Sequence, residues 1–217
     1  MVLIRHGQST ANASGVWQGQ MDFPLSELGR GQAEEAGMAL GEAALSGVYA
    51  SPLSRAFETA EILARAAGYA DEVIPVAGLT ERHGGLLQGH TWAEQEARDP
   101  EFAEKFVSVP EEKRWAMVGA ETDEEILARF DDAVTMILAR HAPGERFVVV
   151  SHGGVMRAYL RECFGSGVLP GTIRAANASI TRLLMDDNGK APKLLELAST
   201  GHLSSERTEP IKGAENL

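Results

Sequence analysis

Val2-Leu3-Ile4-Arg5-His6-Gly7-Gln8-Ser9 opens with an apolar run that stops at an arginine–histidine pair, followed by a glycine and polar residues. Val2, Leu3 and Ile4 have the composition of a short buried strand. Successive side chains of a regular strand point to opposite faces, so a straight strand would send Arg5 and His6 apart. If the two act together, the strand ends at that pair. Gly7 is expected to give the backbone its freedom to turn there. This is the pattern of a site at the carboxyl end of a strand in an α/β protein.

Three further stretches match it. Val148-Val149-Val150-Ser151-His152-Gly153-Gly154 repeats the order of apolar strand, histidine and glycine, here followed by a helix. Val48-Tyr49-Ala50-Ser51-Pro52 precedes a helix from about Leu53 to Ala67, with Arg55 just inside it and Gly68 as a natural stop. Leu79-Thr80-Glu81-Arg82-His83-Gly84 is a loop that sets an acid beside a base. Parallel strands would bring the first two ends to one edge of a sheet. Two arginines and two histidines there suit a phosphate dianion, because guanidinium grips phosphate oxygens in a planar, bidentate way. Backbone N–H groups after Gly153 are expected to add donors. A neutral imidazole can attack phosphorus, a second can stabilise the equatorial oxygens, and Glu81 can move a proton. Each of these residues alone would be ordinary; their joint order carries the reading.

The rest of the chain reads as alternating elements. Residues 13–26 form a loop, and Ser26 caps a helix running through Leu28, Gln32, Ala36, Ala39, Leu40 and Ala43 despite several glycines. Residues 72–76 suggest a short strand. Helical pieces over 92–116 break near Pro100 and Pro110. Thr122-Asp123-Glu124-Glu125 is a capping box. The helix after it carries the stripe Ile126, Leu127, Phe130, Val134, Ile137 and Leu138, and is expected to stop at Pro143-Gly144. Two strands, 179–185 and 193–197, are joined by a turn at 186–189 and are expected to form an antiparallel edge. The fold class is therefore α/β: a three-layer α/β/α sandwich with a mostly parallel central sheet. Residues 1–202 read as one domain with a helical insertion or lid at about 92–120. Residues 203–217 read as a polar, loosely ordered tail.

Composition excludes several classes. The net charge of −11 argues against general nucleic-acid or anionic-membrane binding, so any anionic substrate must be drawn by a local cluster of arginines. No apolar run approaches a membrane span and no leader precedes the first strand, which points to a cytoplasmic protein. The single cysteine, Cys163, permits no internal disulfide or thiolate zinc site and reads as a buried thiol. His83 and His90 lack the spacing of a metal pair. Ser151 before Gly153 resembles a nucleophile elbow, but Val149 replaces its first glycine. Trp17 and Trp92 suit either a substrate cleft or packing.

Taken together, Leu3-Ile4-Arg5-His6-Gly7-Gln8-Ser9, Arg55, Glu81 and Ser151-His152-Gly153 resemble the histidine phosphatase superfamily, the phosphoglycerate mutase-like family, from residue 2 to about 200. The resemblance implies that His6 is phosphorylated, that Arg5, Arg55 and His152 complete the phosphate pocket, and that Glu81 is the proton donor. It further implies that Asn12, Gln18, Gly19, Arg82 and the Gly153 amide touch phosphate or substrate, and that no metal or other cofactor is needed. Gly84 stands where mutases of the family carry tyrosine, His90-Thr91-Trp92 where they carry lysine, and Lys113-Arg114 is a poor match to their arginine pair. The expected function is thus a metal-independent phosphatase acting on a small phosphorylated metabolite. A phosphoglycerate mutase is the alternative, and a non-catalytic phospho-ligand binding module ranks lower. A homodimer is compatible with the sequence.

Overall fold

Alternation along the central strands builds the layers. In β1 (Val2–Arg5), Val2 and Ile4 face one side of the sheet and Leu3 the other. β4 (Phe147–Ser151) divides in the same way, with Val148 and Val150 opposite Phe147 and Val149. Such strands are buried on both faces and read as continuous apolar runs. The computed structural model describes residues 1–41, 44–165, 175–186 and 191–208. Its sheet also contains β2 (Gly47–Ala50), β3 (Ile74–Pro75), β5 (Ile180–Leu184) and β6 (Lys193–Ser199), in the order β3-β2-β4-β1-β5-β6. The pairings among β1 to β4 are parallel, and β5 and β6 add an antiparallel edge, as expected.

One face is covered by α3 (Ser54–Ala66), whose Ala56, Ala60, Leu63 and Ala64 pack on Val2, Ile4, Val48 and Val150, with α2 (Glu27–Ala39) against α3. The other face is covered by α7 (Asp123–Leu138) and α8 (Gly153–Phe164). The capping box at Thr122 and Glu125 is formed, and Ile126, Phe130, Val134 and Ile137 are buried. Each such side chain contributes roughly 1.5–3 kcal/mol of transfer free energy. Helix α7 stops at Leu138, capped by Ala139, before Pro143 is reached, so that proline does not end it.

Between them the chain forms α4 (Trp92–Arg98), α5 (Pro100–Ser108) and α6 (Glu111–Met117), broken at the two prolines. They enclose a small core of Phe106 and Trp115 against Leu87 and Val118. Two local expectations differ. Residues Thr10–Ala13 form a short helix, α1, before the loop begins, because Ser9 and Asn12 make a reciprocal cap. Residues 203–208 are docked rather than loose: Ser204 N donates to Glu35 (2.9 Å), and Gln32 Nε2 donates to the Arg207 carbonyl (2.9 Å). Ala43, most of the 186–189 turn and residues 209–217 lie outside the described residues.

Candidate active site

The register delivers three strand ends side by side. Arg5 is paired with Ser151 and Ala50 with Val150, so Ser51, His152 and His6 leave β2, β4 and β1 at one level. The His6 amide donates to the Ser151 carbonyl (2.9 Å), and the His6 and His152 ring centres lie 5.0 Å apart. Gly7 serves a different purpose from the one expected. Its φ is not positive; instead a Cβ there would overlap the Gly29 carbonyl, so its lack of a side chain lets the end of β1 lie against α2. Its amide donates to Thr59 of α3 (3.0 Å), which fixes the turn from below.

His6 is 2 % exposed and its Nδ1 lies 2.6 Å from the Gly7 carbonyl. A carbonyl only accepts, so the single proton of the neutral ring is on Nδ1 and Nε2 carries the lone pair. Burial first, then the Arg55 and Arg5 charges, hold His6 well below the ordinary imidazole range. Burial and then Arg55 do the same for His152. Desolvation is the larger cause of their neutrality, and the arginine charges add to it.

Arg55 sits in the first turn of α3 and is 1 % exposed. It donates to the Met21 carbonyl (2.9 Å) and the Gly19 carbonyl (2.7 Å), and burial lowers its guanidinium to about 10. Among the described residues its Nε and His152 Nδ1 are buried without a partner. Arg5 donates to the Ala175 carbonyl (2.6 Å). Glu81 is held by three backbone N–H groups: Arg82 (2.7 Å), Gly154 (2.9 Å) and Val155 (3.0 Å). The first amides of α8 were expected to meet phosphate. Those of Gly154 and Val155 are instead taken by Glu81, which leaves Gly153 at the cleft wall.

A cleft of about 410 Å³ opens over these groups, lined by Arg5, His6, Asn12, Gln18, Gly19, Arg55, Glu81, Arg82 and Gly153. His152 lies beneath this surface, fully buried against His6. Asn12 Oδ1 accepts from Ser9 N (3.1 Å) and Asn177 Nδ2 (3.3 Å), which turns its amide donor away from them. Ser9 Oγ also reaches Gln18 Oε1 (2.7 Å). Arg82 lines the cleft, but its guanidinium is bonded to the Glu121 carbonyl and Asp123 and lies over Trp115, 4.6 Å from the ring centre. Trp17 faces the cleft beside Trp115, whereas Trp92 packs on Phe106. Ser151 is buried and donates to the Leu79 carbonyl (2.8 Å), so it anchors the Glu81 loop and is no nucleophile.

Ser9, Ser51, Trp115, Arg157 and Asn177 also belong to the site or its support and were not singled out from the sequence. The spacing of Ser9 to Asn12 and the position of Ser51 at a strand end were readable signals; the Ala175–Asn177 segment offered none. Among the described residues no group of three or more His, Cys, Asp or Glu is arranged to hold a metal ion.

The sequence profile of the histidine phosphatase superfamily (branch 1) matches residues 1–198. The chain belongs to that superfamily. It is 42 % identical over 163 residues to a metal-independent phosphoserine phosphatase of Arabidopsis thaliana, covering 74 % of this chain and 67 % of the relative. It is 34 % identical over 165 residues to a glucosyl-3-phosphoglycerate phosphatase of Mycobacterium tuberculosis, covering 73 % and 72 %. A solved structure of a mycobacterial glucosyl-3-phosphoglycerate phosphatase with VO3 superimposes with a TM-score of 0.73 at 30 % identity, over 91 % of this chain and 97 % of that one. Within this superfamily the sandwich expected from the sequence is the observed fold.

Proposed function

We propose that this histidine phosphatase hydrolyses the phosphomonoester of a small metabolite through phospho-His6, without a metal ion. The observation that carries the reading is the pairing at His6. Its proton is held by the Gly7 carbonyl, Nε2 is left as a lone pair, and two polar atoms without a partner among the described residues, Arg55 Nε and His152 Nδ1, lie in the same buried cluster. A phosphate dianion would pair with those donors, and Arg5 and Arg55 supply the positive charge that the transferring phosphoryl group requires. Nε2 of His6 attacks phosphorus as the ester P–O bond breaks, and Glu81 passes a proton to the leaving oxygen. Water then attacks phospho-His6, Glu81 takes up its proton, and inorganic phosphate leaves with His6 restored.

Hydrolysis is favoured over mutase chemistry by the fate of the basic residues in the insertion. Arg114 donates to the Val109 carbonyl (2.9 Å) and lies over Phe106, while Lys113 is exposed and, like every lysine among the described residues, does not line the cleft. The names of two relatives support this, a phosphoserine phosphatase and a glucosyl-3-phosphoglycerate phosphatase, while other relatives, at 31–32 % identity, are named phosphoglycerate mutases. Among the described residues no helix is long and apolar enough to cross a membrane, and a cytoplasmic enzyme without disulfides fits the single cysteine.

The test is phosphate release from a panel of phosphorylated metabolites in the presence of chelator, with rapid alkaline quench to find protein-bound phosphate and acid treatment to release it. Wild type is expected to turn over and to carry an acid-labile phosphoryl group. His6→Ala is expected to lose activity by ~10³-fold or more. Equal turnover by His6→Ala would remove the mechanism, and isomerisation of 3-phosphoglycerate outpacing its hydrolysis would make the enzyme a mutase.

A further inference from the structure

Ser51 is absent from the mechanism above, yet among the described residues it is the one hydrogen-bond partner of the His152 ring: its Oγ lies 2.7 Å from Nε2. Both residues are 0 % exposed. We propose that Ser51 sets the tautomer of His152, donating its hydroxyl proton to Nε2 so that the single ring proton sits on Nδ1 and becomes the donor to a phosphoryl oxygen. The inference rests on the phosphotransfer reading of this site.

Two tautomers satisfy the distance, and they differ in what they leave unpaired. In one, Nε2–H donates to Ser51 Oγ. That oxygen already accepts from the Leu53 amide (3.3 Å), and the hydroxyl proton then has no acceptor among the described residues. Nδ1 is left as a buried lone pair without a partner among the described residues. It would also face an incoming phosphate lone pair to lone pair. In the other, Oγ accepts from Leu53 and donates to Nε2, so both of its roles are used. Only Nδ1–H is unpartnered, and a phosphate oxygen is its natural acceptor. Arg55 Nε is likewise unpartnered, so the donor on Arg55 is not serving a lone pair on Nδ1.

The fold makes the contact obligatory. Ala50 pairs with Val150, and the Ser51 amide donates to the Val150 carbonyl (3.0 Å), so the residue after β2 always meets the residue after β4. Ser51 touches no substrate; it is a positioning residue that acts through His152. His6 obtains its opposite requirement, a lone pair toward phosphorus, from the Gly7 carbonyl. One neighbour therefore accepts a proton from the nucleophile, and the other gives one to the donor ring.

The experiment uses the full chain with ¹⁵N-labelled histidine, read by two-bond ¹H–¹⁵N spectra without substrate and assigned with His152→Asn. Wild type is expected to show a pyrrole-type Nδ1 and a pyridine-type Nε2 on His152. Ser51→Ala is expected to move protons toward Nε2 and to lower kcat by about 10- to 100-fold, with KM changed less than ~3-fold and orthovanadate inhibition weakened in step. Ser51→Thr, which keeps a hydroxyl, is expected to restore most of the loss. A wild-type proton on Nε2 overturns the proposal without any variant. So does a Ser51→Ala enzyme with unchanged tautomer and kcat within twofold of wild type. The outcomes separate the two readings: Nδ1–H on His152 with no phosphate release from any ester fails the phosphatase reading alone, and an active enzyme with Nε2–H fails this inference alone.

Discussion

At Gly154 a side chain would occupy the space that the Glu81 carboxylate fills, with a Cβ 2.6 Å from Oε1. Gly153 beside it would bring a Cβ to 3.3 Å from Arg5 Nε. The two glycines that read in sequence as a helix start are thus the floor on which an acid and a base lie. Glu81 is a side chain with freedom to move, so Gly154→Ala is expected to fold with nearly wild-type stability. The carboxylate, however, would be pushed off the Gly154 and Val155 amides that orient it. Since displacement of a positioned proton-transfer group forfeits part of its ~10²–10⁴-fold contribution, kcat should fall by about 10- to 100-fold with little change in KM. Steady-state kinetics and a thermal melt check both halves. A large loss of stability with retained kcat would count against the placement of Glu81.

At the scale of elements, α2 is defined by its glycines rather than by an apolar stripe. Gly29 and Gly37 are buried with Ala33 and Ala36, while Leu28 is only partly covered. A Cβ at Gly29 would overlap the Gln8 carbonyl, and one at Gly37 would come within 2.5 Å of the Leu63 carbonyl of α3. Helix propensity favours alanine over glycine by about 1 kcal/mol, but overpacking backbone against backbone costs about 1–3 kcal/mol, so at Gly29 the clash wins. Gly29→Ala is expected to destabilise the protein and, because Gln8 continues from His6 and Gly7, to weaken turnover as well. Gly31→Ala is the contrast: the three atoms nearest its Cβ all belong to the flexible end of Arg207, so urea denaturation should place it within about 1 kcal/mol of wild type, on either side. The same helix marks the limit of what the sequence could tell. The strand ends at His6 and His152 were legible because an apolar run visibly stops, and the capping boxes because they are local. Gly7 against Gly29, and Ser51 against His152, are contacts between distant stretches; nothing near either residue announces its partner. Arg82 shows the same limit: it lines the cleft, but Asp123, Glu121 and Trp115, which hold its guanidinium, lie farther along the chain.

For the whole molecule, the site is a stability liability on the acid side. His6 and His152 are both held neutral in the fold, chiefly by burial and then by Arg55, whereas in the unfolded chain each titrates near its ordinary value. Below about pH 6.5 the unfolded chain therefore binds protons that the folded one refuses, and the equilibrium shifts toward unfolding as pH falls. The contribution is fully present above that pH and is lost progressively below it, until the depressed folded values are reached. At pH 5.5 each ring should have forfeited on the order of 1 kcal/mol, a noticeable part of a typical domain's ~5–15 kcal/mol. His202 is shifted in the same direction by burial and adds to the trend. Glu121, which burial pushes up but Arg129 and the His83 amide bring down on balance, loses its contribution only as the pH drops below the ordinary carboxylate range, so the two effects separate on the pH axis. Urea unfolding at pH 7.5, 6.5 and 5.5 measures the first. His6→Asn should reduce the loss over the lowest unit by roughly 1 kcal/mol, because one ring no longer titrates in the unfolded chain. Saturating inorganic phosphate should flatten it as well, since a bound dianion favours the protonated rings that the arginines disfavour. A stability that stays level from pH 7.5 to 5.5 would mean that both rings accept protons inside the fold, and a cationic His6 could not be the proposed nucleophile.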